Sequence, residues 1–253
     1  MKSRDDIPHG YWLVMPLATV VCLIGVILFY PAWGFNHINA DELGVVENAQ
    51  VILLIGAICF GARILLMPGQ RPHRWITAWV WLITIACLYA AGEETSWGQH
   101  YFRWATPEWL KRINSQGETN FHNSSEIFNA IPLQLLGLAV KIGGVGYPLW
   151  AWYQKRRSGG KWMPSSWFWP SGAVFITAVL IQLVQIMRGF RFSREATWLP
   201  LGELKDYFFY LFLLIYLGSL FYRLAHHQKN LTGYRTSPER DALAAKPSSP
   251  AAA

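Results

Sequence analysis

The chain predicts an all-α protein, a polytopic membrane bundle of about six transmembrane helices. Three observations predict it. The 253 residues are 53% hydrophobic and only 15% charged, whereas a soluble domain usually carries about 25% charge. Apolar runs of about 20 residues, the length at which a helix crosses a bilayer, recur along the chain. In lipid a backbone must satisfy its own hydrogen bonds, which a helix does within one segment.

The predicted spans cover roughly 12–30, 44–66, 75–92, 127–150, 168–188 and 207–225. The first follows only a weak basic start, Lys2 and Arg4. It is long for a signal peptide and lacks a small-x-small cleavage site, so it is read as a retained helix. The fourth opens on Asn123-x-x-Glu126, a capping-box pattern. Gly143, Gly144 and Gly146 point to an irregular second half of that span. Residues 1–225 form one membrane domain with no long internal repeat. Residues 226–253 are polar, then Pro/Ala/Ser-rich, and are expected to be a disordered cytoplasmic tail. Cys22, Cys59 and Cys87 all fall inside apolar spans, with no metal-knuckle or disulfide spacing.

Charge distribution orients the bundle. Arg71 and Arg74, then Lys155, Arg156, Arg157 and Lys161, then Arg223 and Lys229 fall on one side of a six-span chain, together with Lys2 and Arg4. The positive-inside rule makes that side cytoplasmic, with both termini inside. Loops 31–43, 93–126 and 189–206 then face outward. Their basic residues, among them Arg103, Arg112 and Arg191, either anchor to headgroup phosphates or recognise an anionic substrate, for which Arg191 is a candidate. The basic turn 156–161 matches no nucleic-acid motif.

The chemistry concentrates in one outward loop. Gly92-Glu93-Glu94-Thr95-Ser96-Trp97-Gly98-Gln99-His100 is followed by Asn114-Ser115-Gln116-Gly117-Glu118-Thr119-Asn120-Phe121-His122-Asn123. Polar and ionisable groups at a membrane boundary mark functional sites. If the third helix continues, Glu93, Ser96, Trp97 and His100 share one face at i, i+3, i+4 and i+7. If 114–129 is helical, Glu118, His122, Glu126 and Asn129 form a second stripe, and Glu118 and His122 are an i, i+4 metal-ligand pair. His100, Glu118 and His122 are therefore the candidate ligands of a divalent metal such as zinc. Glu93, Glu94 and Ser96 are candidate catalytic groups. Gln99, Asn114, Gln116, Asn120, Asn123 and, at the start of the second span, Glu47 are candidate substrate-binding groups.

Each has a structural alternative. Glu126 caps the fourth helix. Thr106-Pro107 starts a short amphipathic helix at 107–113 with Thr106 as its N-cap. Glu47, Glu203 and Asp206 sit where a helix N-terminus favours carboxylates. Gln134, Gln182 and Gln185 either floor a polar cavity or bond neighbouring helices, and Lys141 is either functional or reaches for the interface.

Gly-Glu-Glu-x-Ser-Trp-Gly-Gln at Gly92–Gln99, with Gln-x-Glu-x-Asn-x-His-Asn at Gln116–Asn123, resembles a signature of uncharacterised bacterial multi-pass inner-membrane proteins. The resemblance covers about a quarter of the chain by count of the loop and its flanking helices. It implies an inner-membrane location and no particular activity. The site chemistry is also similar to that of alkaline ceramidase-like membrane hydrolases, seven-helix proteins with a histidine-held zinc. This chain departs from them in having six apparent spans and no late His-x-x-x-His.

Together these readings lead to a membrane-embedded enzyme, a metal-assisted hydrolase or transferase acting on a lipid or lipid-linked substrate at the outer face. A transporter or small-ligand binder, and a structural or partner-docking protein, are the alternatives. Other than the bilayer, no partner is implied.

Overall fold

The computed structural model describes residues 6–38, 44–68, 74–114, 117–121, 124, 126–160, 167–189 and 201–235. Helix α1 (Gly10–Phe29) opens with π turns and is followed by the short α2 (Pro31–Ile38). Helices α3 (Val45–Leu66) and α4 (Arg74–Glu94) come next, then two single turns, α5 (Gln99–Phe102) and α6 (Glu108–Lys111). Helices α7 (Glu126–Ala139) and α8 (Tyr147–Arg157) are joined by π turns at Val140–Gly146. Helices α9 (Phe175–Gly189) and α10 (Leu201–Arg235) complete the chain. No strand occurs among the described residues.

Five of these helical stretches are long and apolar enough to cross a membrane: Gly10–Phe29, Val45–Leu66, Arg74–Glu94, Gly172–Gly189 and Leu201–Asn230. The expected fourth span differs. Residues 126–157 are helical throughout, but as α7, the π turns and α8 in succession, with Pro132 inside α7 and Pro148 at the start of α8. A proline removes a backbone donor and crowds the preceding turn, which favours such local rearrangement. The three glycines that point to irregularity lie in or at the end of the π turns. The C-terminal boundary also shifts: α10 continues through His226 and His227 to Arg235.

Helix α10 is the hub. Phe208, Phe209, Leu211, Ile215, Leu217 and Leu220 are all buried along it, on every side. A helix that is apolar all round belongs inside a bundle. Glycines bring its neighbours close, as small residues do between membrane helices. Gly56 on α3 faces Leu214, Gly144 faces Phe212 and Ala178, and Gly137 faces Phe209 and Gln185. Polar contacts pin the same interfaces. Trp79 Nε1 donates to the Tyr216 hydroxyl at 2.8 Å, which donates to Phe168 O at 2.9 Å. Thr19 Oγ1 and the Tyr207 hydroxyl lie 2.8 Å apart, joining α1 to α10. By contrast Val21, Ile24, Leu28 and Phe29 of α1 are exposed, as a lipid-facing helix in a bilayer requires. Gln134 and Lys141 also lie on the exposed surface of the 126–157 segment, so neither lines an interior path.

The N-terminal segment belongs to the core. Ile7 is fully buried against Gly218 and Phe60, and Asp6 Oδ1 accepts from the Ile7 N–H at 2.7 Å.

The glycine contacts make a direct test. A Cβ at Gly144 would lie 2.7 Å from Ala178 Cβ and 2.8 Å from Phe212 Cε2, whereas at Gly146 the nearest atom is 3.5 Å away. Gly144→Ala is expected to lose about 1–3 kcal/mol through overpacking, and Gly146→Ala close to none. Thermal denaturation in detergent separates the two.

Candidate functional site

The polar loop gathers at the C-terminal end of α4, and its geometry starts with how that helix stops. Thr95 Oγ1 bonds back to Ala91 O at 2.9 Å and Gly92 O at 3.2 Å. Ser96, Trp97 and Gly98 then take φ of 46°, 56° and 99°. Left-handed backbone is strained for the first two and natural for glycine. The expected continuation of the helix to His100 is therefore wrong: the chain reverses hand and restarts as α5. The reversal lays the Trp97 indole across Gly92, where an added Cβ would lie 2.9 Å from Trp97 Cδ2. A side chain at 92 would displace that ring.

Two adjacent carboxylates end α4 against the sense of the helix dipole, and both find donors. Glu93 is buried; it accepts from Trp97 Nε1 at 2.8 Å and from the Phe121 N–H at 2.7 Å. It clamps the two halves of the loop together. Glu94 turns the other way and accepts from the Tyr210 hydroxyl of α10 at 2.6 Å.

The second half of the loop, 117–121, is irregular rather than helical, so the helix expected over 114–129 is not continuous through Glu118. Asn114 and Gln99 shape it instead. Asn114 Nδ2 donates to Asn120 O at 2.8 Å and Asn120 Oδ1 at 2.7 Å, and Asn114 Oδ1 accepts from the Glu118 N–H at 3.2 Å. Gln99 donates to Trp104 O at 3.0 Å and Thr106 Oγ1 at 2.8 Å, and accepts from the Thr119 N–H at 2.6 Å. Thr106 is not the N-cap of α6. Pro107 takes that position, and the Thr106 hydroxyl donates to Gly117 O at 2.6 Å. Gln99 and Asn114 thus spend their amides on the loop itself.

This framework brings Ser96, His100, Glu118 and Asn120 together. Ser96 and Asn120 are both 0% exposed. Ser96 Oγ donates to Glu118 Oε2 at 3.0 Å and accepts from Asn120 Nδ2 at 3.0 Å. Asn120 Nδ2 also reaches Glu118 Oε2 at 2.6 Å. His100 Nε2 lies 2.9 Å from Ser96 Oγ and 3.6 Å from Glu118 Oε1. A hydroxyl has one proton and two lone pairs. Ser96 gives its proton to Glu118, so the short contact to His100 must be an Nε2–H donated to Oγ. The network thereby fixes the tautomer. The Ser96 hydroxyl is saturated, and the lone pair of a neutral His100 is left on Nδ1. That atom is buried and has no hydrogen-bond partner among the described residues. The imidazole around it is only 10% exposed.

The arrangement differs from a Ser-His-acid triad, in which the carboxylate holds the nitrogen opposite the serine. Here serine and carboxylate both sit at Nε2, on the same side of the ring, and leave the other nitrogen to one side of the cluster. The carboxylate oxygens of Glu118 face Ser96, Asn120 and His100. Among the described residues no group of three His, Cys, Asp or Glu side chains is placed to hold a metal ion. Gln116, His122, Asn123 and Arg191 lie outside the described residues. Glu47 Oε2 accepts from the Gly44 N–H at 3.2 Å at the start of α3. Its neighbour Asn48 does contribute, accepting from the Tyr101 hydroxyl at 3.1 Å and so tethering α5 to α3. Tyr210 and Gln50, both tied to this end of the bundle, escape a search centred on the loop. Gln50 carries a usable signal, a lone amide inside an apolar helix.

Around the cluster Trp97, Phe102, Trp104 and Trp109 are exposed, with Phe102 and Trp104 stacked at 6.0 Å. Exposed aromatics collect at the headgroup level of membrane proteins. Long apolar helices, lipid-facing side chains and this aromatic rim define a polytopic helical membrane protein. No family model, curated protein or solved structure matches the chain, and its chemistry is read from its own residues.

Proposed function

We propose that this protein is a membrane-embedded hydrolase or transferase that acts on a lipid or lipid-linked substrate, with His100 Nδ1 as its proton acceptor. The buried, unpartnered Nδ1 carries the reading. Ser96 and Glu118 fix the ring and its tautomer, and the Glu118 carboxylate offsets the charge that forms when Nδ1 takes a proton. Glu93 and the amides of Asn114 and Gln99 hold the loop in shape. The exposed aromatic rim supports a substrate met at headgroup depth.

The proposed topology has six crossings. Residues 126–157 are the additional one: Gly137 and Gly144 face Gln185 and Ala178 of α9 in reverse order, and Phe209 and Phe212 of α10 in the same order. Both termini are then cytoplasmic, with the loop on the outer side of a bacterial inner membrane.

A divalent metal on Nδ1 is the second reading, favoured by the carboxylate-supported histidine. It requires ligands from beyond the described residues, His122 among them. The test uses detergent-purified wild-type protein. Elemental analysis is paired with mass spectrometry of products from a panel of acyl lipids, phospholipids and lipid-linked phosphates. Product formation with no bound metal is the expected result. About one metal per chain, lost on His100→Ala, would replace the acid–base mechanism with a metal-assisted one. No turnover of any lipid class would overturn the enzymatic reading in favour of transport or ligand binding.

A further inference from the structure

The end of the bundle opposite the loop has a different chemistry. Arg223 lies about 20 Å along α10 from Tyr210, the partner of Glu94. Its Nη2 donates to Trp169 O at 3.5 Å, and the Trp169 ring stacks on Tyr147 at 4.6 Å, at the start of α8. Gly137, Gly144 and Tyr147 thus meet Phe209, Phe212 and Trp169 in turn, so α8 continues away from the loop. Past Pro148 it is barely covered. Trp150, Trp152 and Tyr153 are exposed, as are Lys155, Arg156 and Arg157, while Ala151 and Gln154 alone are partly covered. Charge here has one sign. No Asp or Glu occurs between Glu126 and Glu195. Arg63, Arg74 and Lys229, at the same end of α3, α4 and α10, are exposed too. Among the described residues the acidic group at this end is Asp6, which stands near Arg223. The side chains of Lys155, Arg156 and Arg157 have no hydrogen bond or ion pair among the described residues. The Arg156 guanidinium lies over the Trp152 ring, 4.3 Å from its centre. Stacking occupies the face of the guanidinium and spares its edge, where the N–H donors that fork onto a phosphate lie.

We propose that α8 docks anionic phospholipid, with Lys155, Arg156 and Arg157 on the headgroup phosphates and Trp150, Trp152 and Tyr153 at headgroup depth. Trp and Tyr collect at that level because their rings are apolar and their polar tips need water. Clusters of Lys and Arg beside a membrane helix attract anionic lipid, each residue at the surface giving about a fivefold enrichment. Three fall within one turn of α8, and no carboxylate on α8 or α9 offsets them. An acidic protein segment would meet the same charges. It would not call for a row of exposed aromatic rings one turn deeper, which a lipid surface does.

The test uses the full chain in phosphatidylcholine bilayers, with a trace of spin-labelled phosphatidylglycerol or spin-labelled phosphatidylcholine. Electron spin resonance separates lipid immobilised on the protein from bulk lipid. Phosphatidylglycerol is expected to be preferred about twofold or more, averaged over boundary positions of which most carry no charge. High salt should shrink the preference. The triple variant Lys155→Gln, Arg156→Gln, Arg157→Gln changes only exposed side chains and is expected to remove most of it. Lys155→Gln and Arg157→Gln singly should each remove part, which keeps the test open if the triple variant misfolds. Arg103→Gln, Lys111→Gln, Arg112→Gln neutralises as many charges at the loop end and should leave most of the preference in place. Wild-type protein with no preference overturns the proposal and leaves an acidic protein segment as the occupant to seek. A preference that the folded α8 variants keep in full, or that the loop variant abolishes, overturns it as well.

Discussion

Glu93→Ala is expected to destabilise the protein by about 3 kcal/mol, among the largest effects of any single change outside the apolar core. Two hydrogen bonds to a charged acceptor are lost, and the Phe121 N–H is left without its partner. Glu93→Gln is expected to do nearly as much damage despite its matching shape. An amide has one oxygen, and its NH₂ would face either the Trp97 indole N–H or the Phe121 N–H, donor against donor. Trp97→Phe removes only one donor and should cost about half as much. Denaturation midpoints of the three variants in detergent, compared with wild type, give the order. A Glu93→Gln variant as stable as wild type would show that the clamp is not what holds the loop.

The second large effect is on chemistry. His100→Ala is expected to lower lipid turnover by about 10²–10⁴-fold, the usual contribution of a general base, while the denaturation midpoint changes little. In the proposed mechanism Glu118 acts through the ring, so Glu118→Gln has a different signature. It should lower kcat more than KM and move the pH–rate profile, because the group that offsets the imidazolium has become neutral. A purely structural Glu118 would reduce the amount of folded enzyme and leave the profile of the remainder in place. Ser96→Ala discriminates further. A nucleophilic serine would be indispensable, whereas a hydroxyl saturated by His100, Glu118 and Asn120 is a support whose removal leaves measurable turnover.

The membrane spans were legible because apolar runs of bilayer length are a composition signal, independent of any contact. The interruption of 126–157 was legible in part from Gly143, Gly144 and Gly146, although nothing local shows that it takes the form of π turns. The loop was legible as a set of residues and illegible as a shape. Glu93, Ser96, His100, Glu118, Asn114 and Asn120 do lie together, but the helix does not run on from Glu93 to His100 and 117–121 is not helical. Ser96 and Trp97 take left-handed backbone against their own preference, held there by contacts to Gly92, Glu93, Glu118 and Asn120 that a linear pattern does not encode. The same limit hides Tyr210 and Gln50. Their partners, Glu94 and Glu203, are 116 and 153 residues away, and a tyrosine in a membrane helix usually reads as interfacial.

The position of α10 has a consequence for biogenesis. The helix that packs against α3, α9 and the N-terminal Ile7, and that holds Trp79 and Glu94 of α4 through its tyrosines, is synthesised after all of them. Until it enters the bilayer, Gln50 has no Glu203, Glu94 has no Tyr210, and Ile7 has no seat beside Gly218. The earlier helices, α3 and α4 already packed on each other, must therefore wait with these polar groups unmatched until α10 joins them. A nascent chain halted before residue 201 would hold acidic and amide groups open to lipid, the kind of surface by which membrane quality control tells an unfinished protein from a finished one.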